Sequence, residues 1–220
     1  MKRVIILSGG LDSTTALAYY IDTQNKKDIT TITFNYGSKH NTQENNAAKK
    51  IANYYGVKNT IINLDFINKL FKSNLLKKGG KIPFGHYADK TMKKTVVPFR
   101  NGIMLSIASG YCESIGFDSI VLGNHSGDHF IYLDCRTSFS KPMSEAIFQG
   151  TDRHIIVERP FEMMTKTDIV KLGSKLKVPY ELTYSCYNGE KIHCGKCGTC
   201  YERKEAFRDA SVKDPTIYQQ

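Results

Sequence analysis

The sequence predicts an α/β chain with a doubly wound, mostly parallel sheet, and three observations predict it. Short apolar runs alternate with longer stretches of helical periodicity. The first apolar run passes through two glycines straight into a helix. The last part of the chain abandons both patterns and clusters its cysteines instead.

Taken in order, Val4 to Leu7 reads as a short buried strand and Asp12 to Ile21 as an apolar-periodic helix. Ile29 to Phe34 is the second strand. Thr42 to Tyr55 is a helix with Ala47, Ala48, Ile51 and Ala52 on one stripe and Gly56 as its stop. Thr60 to Leu64 is the third strand, Gly102 to Gly116 a long apolar helix, Ser119 to Leu122 the fourth strand and Ile155 to Val157 the fifth. Thr165 to Leu176 is a helix capped by Thr165, with Asp168 in the capping-box position. Strands alternating with helices imply a parallel sheet wound in both directions. Lys72 to Thr95 breaks the pattern with seven lysines and three glycines, which predicts a long loop and a candidate lid. The expected organisation is an α/β domain over 1–183 and a cysteine-rich region over 184–220.

The 220 residues, 40% hydrophobic, suffice for one such domain with a small appendage. Runs such as Val4 to Leu7 and Ile120 to Leu122 are too short to span a bilayer. Met1-Lys2-Arg3 leads directly into the first strand, without the apolar core and cleavage site of a signal peptide. A cytoplasmic protein without a membrane partner is expected. The formal charge of +10 and pI of about 9.2 admit nucleic acid, but suit a small anionic substrate with ATP equally well. The lysines are spread along the chain, so no direct nucleic-acid partner is expected.

Leu7 is followed by Ser8-Gly9-Gly10-Leu11-Asp12-Ser13-Thr14, placed between a strand and a helix. Glycines let the backbone turn and approach a ligand. The N–H groups and dipole of the helix that follows favour an anion there. Ser8, Ser13 and Thr14 add hydroxyls, while Asp12 either caps the helix or helps hold Mg²⁺. The Walker lysine and the Gly-x-Gly-x-x-Gly spacing are both absent. The segment resembles the SGGxDS loop of the N-type ATP pyrophosphatases (the PP-loop superfamily), which leave AMP on their substrate. That resemblance implies an adenine nucleotide alpha hydrolase-like, Rossmann-like fold. It also implies adenine near the end of the second strand, where Phe34 and Tyr36 either meet the nucleotide or fill the core.

Cys186-x7-Cys194-x2-Cys197-x2-Cys200 supplies four thiolates, the set that a closed tetrahedral zinc site needs. One structural zinc per chain is expected, with an iron–sulfur cluster as the alternative. Four protein ligands leave no open position for catalysis. Gly195 and Gly198 each follow a cysteine and allow N–H groups to turn towards sulfur. Lys191, Lys196, Arg203 and Lys204 would offset the site's charge, and His193 is a rival ligand.

Two middle segments add polar chemistry. In Val97-Pro98-Phe99-Arg100-Asn101-Gly102, Asn101 is the expected N-cap of the long helix. Arg100 is then a cation at a helix start, where the dipole disfavours it, so a phosphate or carboxylate partner is expected. The segment from Gly123 to Arg136 follows the fourth strand, where loops line the ligand crevice of a doubly wound sheet. It carries His125, Asp128, His129, Tyr132, Asp134 and Arg136. A metal site from His125, Asp128 and His129 stays open as a further reading.

Together the phosphate loop, Val97 to Asn101, Asp128-x3-Tyr132-x-Asp134-Cys135-Arg136 and Ser185-Cys186-Tyr187 with the later cysteines resemble the 7-cyano-7-deazaguanine synthases of the QueC family. The segments span nearly the whole chain in family order. Leu133 stands where the family usually has proline, and Asn124 to Gly127 departs from the common bacterial version. The resemblance implies a ligase that uses ATP, Mg²⁺ and ammonia to turn 7-carboxy-7-deazaguanine into the nitrile, in a homodimer. It implies catalytic roles for Ser8, Asp12, Ser13, Arg100 and Asp128. Leu7 to Thr14, Phe34, Tyr36, Arg100, Asn101 and Gly123 would hold the nucleotide. Phe99, Arg100, Asp128, Tyr132, Asp134 and Arg136 would hold the substrate, with Tyr132 stacking on the base or packing in the core. Rival readings are a PP-loop enzyme that adenylates a tRNA base, a relative that attaches a deazaguanine to a macromolecule, and a zinc-ribbon module that binds nucleic acid.

Overall fold

Three consecutive apolar side chains of Arg3–Ile6 are buried, and this short strand, β1, lies at the centre of a five-stranded sheet. The computed structural model describes residues 1–86 and 90–219, leaving out the side chains of residues 90, 129 and 130. The other strands are β2 (Ile29–Asn35), β3 (Asn59–Asn63), β4 (Ser119–Val121) and β5 (Ile156–Glu158). Their order is β3-β2-β1-β4-β5 and every pairing is parallel. A central parallel strand is covered on both faces, which is why consecutive residues of β1 and β4 are buried whichever face they point to.

The helices are α1 (Leu11–Thr23), α2 (Asn41–Tyr55), α3 (Asp65–Leu70), α4 (Arg100–Ser114), α5 (Thr137–Gln149), α6 (Lys166–Lys175) and α7 (Gly198–Asp209). Helix α1 packs on α6 and α6 on α7, while α4 packs on β4 and α5 on β5. The expected signals hold at two ends. Gly56 closes α2 at φ +67, and Thr165 with Asp168 forms a capping box on α6. The chain winds outward from β1 through β2 to β3, then returns and winds the other way through β4 to β5. The order reverses between β1 and β4, so the ligand crevice is expected beyond the carboxyl ends of these two strands.

Three helices are additions to the sequence reading: α3, α5 and α7. Helix α5 carries Pro142 in its interior, where one backbone donor is lost. Asn101 is the second residue of α4 rather than its cap. Phe99 occupies the cap position in a left-handed conformation, φ +53. The described part of the 72–95 loop is tied down. The Lys39 ammonium donates to the carbonyls of Asn74, Leu76, Gly79 and Gly80 at 2.7–3.1 Å. Leu75, Leu76 and Ile82 are buried in the main core. Phe84 bridges to Cys197, which joins this loop to the cysteine region. Residues 87–89 of the candidate lid lie outside the described residues.

The region over 184–220 shares the core of the sheet, since Ala206 and Phe207 are buried in the same apolar cluster as β1. Arg203 of α7 is 1% exposed and donates to Thr183 Oγ1, Ser185 Oγ and the Tyr180 carbonyl, with Asp214 as its counter-charge. Among the described residues, no helix is long and apolar enough to cross a membrane.

Candidate active site

Where β1 ends, Gly9 turns at φ +82 with its α-carbon against α2. An added Cβ would come within 2.7 Å of the Glu44 carbonyl and the Ala48 nitrogen. Only glycine fits such a backbone contact at that φ. Gly10 is the N-cap of α1, and no side chain caps this helix. The first intrahelical bond here runs from Thr14 N–H to Gly10 C=O at 3.1 Å. The earlier first-turn N–H groups therefore face outward, as a helix start requires. Ser8 and Ser13 hydroxyls lie 3.1 Å apart, and the Gly10 N–H donates to Ser8 Oγ at 3.2 Å. The result is an open helix N-terminus whose first-turn N–H groups and dipole suit an anion.

Asp12 does not cap the helix. One carboxylate oxygen lies 3.4 Å from Lys166 Nζ, and the other is buried without a hydrogen-bond partner among the described residues. An unsatisfied buried carboxylate oxygen fits a bound cation. Thr14 is fully buried beneath the loop and donates to the Gly10 carbonyl at 2.7 Å. Gly123, at the end of β4, lies against the start of α1. An added Cβ there would sit 3.2 Å from Ser13 Cα.

One cleft gathers Ser8, Gly10, Asp12 and Ser13 with Phe34, Tyr36, Arg100, Asn101, Gly123, Asp128 and Tyr132. Leu7 and Leu11 also line it. Phe34 and Tyr36 are buried in the core, and both also line the cleft. Arg100 Nη1 donates to the Tyr36 hydroxyl at 3.2 Å. Its guanidinium carbon lies 5.7 Å from the ring centres of both Tyr36 and Tyr132. Such a cation keeps planar donors available for an incoming anion.

Asp128 caps the short 3-10 turn Ser126–Phe130 by accepting from the His125 N–H at 3.3 Å, while the Gly127 N–H donates to His125 Nδ1. The side chain of His129 lies outside the described residues. Tyr132 and Tyr187 hydroxyls are 3.0 Å apart. Phe99, Asp134 and Arg136 do not line this cleft. Phe99 packs edge-on against Phe139 at 5.4 Å. The Asp134 carboxylate accepts from the Asn101 N–H at 2.8 Å, so it caps α4 and answers the dipole end that disfavours Arg100. Arg136 is exposed. Leu133 is also exposed and opens the 3-10 turn Leu133–Cys135, a position where proline's missing donor costs little.

Sequence reasoning missed several lining residues. Lys166 begins α6, and its Nζ lies 2.5 Å from Glu202 Oε2 of α7. A signal was available, because a lysine at a helix start shows the same charge mismatch that flagged Arg100. Glu44 and His40 line the cleft from the first turn and cap of α2, with His40 Nε2 3.3 Å from a Glu44 oxygen. Burial pushes Glu44 up to about 8, against the pull of Arg100. Burial and then Arg100 push His40 down to about 3. Both shifts favour the neutral forms, a protonated carboxyl beside an uncharged imidazole. Tyr184, Ser185 and Tyr187 enter from the segment around Cys186, and the Tyr184 N–H donates to the Gly9 carbonyl at 2.9 Å.

The four cysteine sulfurs lie within 4.8 Å of one another and all four residues are buried. Sulfurs around a tetrahedral ion with bonds of about 2.3 Å would be roughly 3.8 Å apart, so the set fits one metal ion. N–H groups of Cys194, Lys196 and Cys197 point at cysteine sulfurs at 3.3–3.5 Å. Gly195, at φ +69, makes the turn that allows this, whereas Gly198 simply begins α7. His193 stands outside the cluster and accepts from the Ser185 N–H through Nε2 at 2.9 Å. Arg203 and Lys204 are engaged elsewhere, with Asp214 and with the Gly195 carbonyl.

The family model described as queuosine biosynthesis protein QueC matches residues 2–211. A protein of Porphyromonas gingivalis named 7-cyano-7-deazaguanine synthase is 50% identical over 217 residues, covering 98% of this chain and 96% of that one. One of the same name from Desulfotalea psychrophila is 47% identical, covering 99% of each chain. Among solved structures, NMN synthetase from Francisella tularensis superposes with a TM-score of 0.50 at 14% identity, covering 96% of this chain and 78% of that one. The last likeness concerns the fold alone.

Proposed function

The chain belongs to the QueC family of queuosine biosynthesis proteins, and from that premise we propose that it makes 7-cyano-7-deazaguanine as an ATP-dependent carbon–nitrogen ligase. The observation that carries this reading is the meeting of the phosphate loop with Arg100, Asp128 and Tyr132 in one cleft. The substrates are 7-carboxy-7-deazaguanine, ATP and ammonia. A carboxylate oxygen attacks the α-phosphorus of ATP, and the bridging bond breaks towards pyrophosphate. Ammonia attacks the carbonyl carbon of the acyl-adenylate, AMP leaves with the electron pair, and the nitrogen sheds a proton to give the amide. The amide oxygen then attacks the α-phosphorus of a second ATP, which again releases pyrophosphate. Loss of AMP and the remaining N–H protons leaves the nitrile.

In this reading the Ser8 to Ser13 loop binds the pyrophosphate portion through N–H and hydroxyl donors, where negative charge develops. Arg100 orients the carboxylate or the α-phosphate with its planar donors. Asp128 accepts from the guanine-like N–H groups, and Tyr132 supplies a ring face to the base. Asp134 works from behind the cleft by capping the helix that carries Arg100. Magnesium held by Asp12 would supply charge neutralisation for the phosphates. Zinc held by Cys186, Cys194, Cys197 and Cys200 would close the C-terminal region. A cytoplasmic homodimer is the assembly proposed with this function.

Mass spectrometry of the products formed from 7-carboxy-7-deazaguanine, ammonium, magnesium and ATP tests the proposal. Nitrile and AMP appearing together are expected. AMP without nitrile would move the assignment to another adenylating reaction, and no AMP at all would overturn it.

A further inference from the structure

We propose that Glu202, on the helix that the cysteine cluster begins, is a positioning residue that holds the Lys166 ammonium at the phosphate loop and thereby sets the affinity for ATP. The inference rests on the ATP-site reading above. Lys166 and Asp12 line the cleft, whereas Glu202 stands behind them. Lys166 Nζ is 2.5 Å from Glu202 Oε2 and 3.4 Å from Asp12 Oδ2. All three side chains are largely withdrawn from solvent, with 14–23% exposed.

The ammonium needs such support. Lysine carries a long flexible stem and a strongly hydrated charge, so a mostly buried lysine keeps one position only where a counter-charge holds it. Its own helix works against it, because the N-terminal turn of α6 presents positive potential. Of the three carboxylates whose charge acts on it, Asp12, Glu202 and Asp128, Glu202 makes a short, charge-assisted contact. The second Glu202 oxygen lies 3.8 Å from His125 Nε2. Since His125 Nδ1 accepts from the Gly127 N–H, Nε2 bears the hydrogen, and this side of Glu202 also faces a donor. With Glu202 in place, the ammonium stands off Asp12 and can meet a phosphate while Asp12 keeps an oxygen for a cation. Without it, Lys166 closes on Asp12, and a phosphate must break that pair to bind.

The link reaches further. Cys197 caps α7 and Cys200 lies in its first turn, two residues before Glu202. A metal held by the four cysteines fixes that turn, and so fixes where Glu202 meets Lys166. Coupling of this kind is reciprocal, so bound ATP should slow loss of the metal.

Calorimetric titration of the metal-loaded protein with ATP and magnesium chloride tests this directly and needs no deazaguanine. Glu202→Gln should keep its fold and its metal, with a lowered melting temperature, and bind ATP about tenfold more weakly, the loss of one charged hydrogen bond. Lys166→Met should also weaken binding, and Glu202→Gln added to Lys166→Met should cost nothing more, since Glu202 acts through the lysine. ATP should slow metal release to a chelator in the parent but not in Glu202→Gln. If Glu202→Gln fails to fold, Glu202→Asp, which withdraws the charge by one methylene, takes its place in the same comparison. An unchanged affinity in the single variant, or a full further loss in the double variant, would overturn the inference. A parent that binds no ATP would instead sink the ATP-site reading on which it stands.

Discussion

The two walls of the cleft are built in opposite ways. The phosphate loop is one unbroken stretch, Ser8 to Thr14, whose strand, turn and helix come in sequence order and whose donors belong largely to its own backbone. The rest of the lining is assembled from Tyr36, Arg100, Tyr132, Lys166 and Tyr187, which arrive from five separate segments and meet only in the folded chain. A local site needs only the right turn and helix start. An assembled one needs every supporting element in register, and here several of those elements lead back to the cysteine cluster.

The largest expected effect breaks this comparison at that root. Cys197→Ser removes one sulfur of the cluster and leaves at the start of α7 a residue well suited to cap it, so any loss belongs to the metal site. Metal binding in such sites contributes several kcal/mol or more to folding, so the melting temperature should fall by about 10 °C or more. The assembled wall should go first, since Tyr184, Tyr187, Glu202 and Arg203 all lie in the region that the metal closes. Differential scanning calorimetry with and without a chelator measures this. Coincident melting of the parent and the chelated protein would show that apolar burial alone holds the region.

A smaller effect tests the wall without unfolding it. Arg100→Lys keeps a charge but loses the planar fork that Tyr36 and Tyr132 flank. A charged hydrogen bond is worth about 1.5–3 kcal/mol, so kcat/KM should fall roughly ten- to a hundredfold, with little change in melting temperature. Steady-state kinetics of AMP release would measure it. Near-parent kinetics would mean that a point charge is enough and that the geometry around Arg100 does no orienting.

What the sequence made legible follows the same division. The alternation of strands and helices, the parallel sheet and the phosphate loop come from local patterns, namely apolar runs, glycines and caps. The cysteine spacing was legible for the same reason, because three of the four ligands lie within one short segment. Helix α5 was not, since Pro142 reads as a break although it costs a single backbone bond where it stands. Helix α7 was hidden because its first turn is occupied by cysteines, which suggest a loop. Asn101 looked like a cap, but Asp134 supplies that bond from 33 residues away, and local composition cannot report such a partner. Lys166 and Glu202 lie 36 residues apart, and only the packing of α6 on α7 brings them together.

The smallest expected effect concerns Glu44 and His40, where the two walls touch. Glu44 contributes a backbone carbonyl that crowds Gly9 and a side chain that faces Arg100's side of the cleft. Its folded pKa, about 8, is above the ordinary carboxylate range, so the native chain keeps a proton that the unfolded chain gives up. Stability from this group is therefore fully present below about pH 4.5 and is lost as pH rises towards 8. His40 runs the other way. Its pKa is depressed from 6.5 to about 3, so its contribution is present above 6.5 and is lost as pH falls towards 3. Glu44→Gln mimics the protonated carboxyl and removes only the first of these slopes. Melting temperatures measured from pH 5 to 8 should then decline less steeply in the variant than in the parent, while the loss on acidification through His40 remains. Parallel slopes in the two proteins would mean that Glu44 is ionised in the native cleft. Its charge would then be balanced by Arg100, and the two parts of the cleft would be joined by charge rather than by a neutral contact.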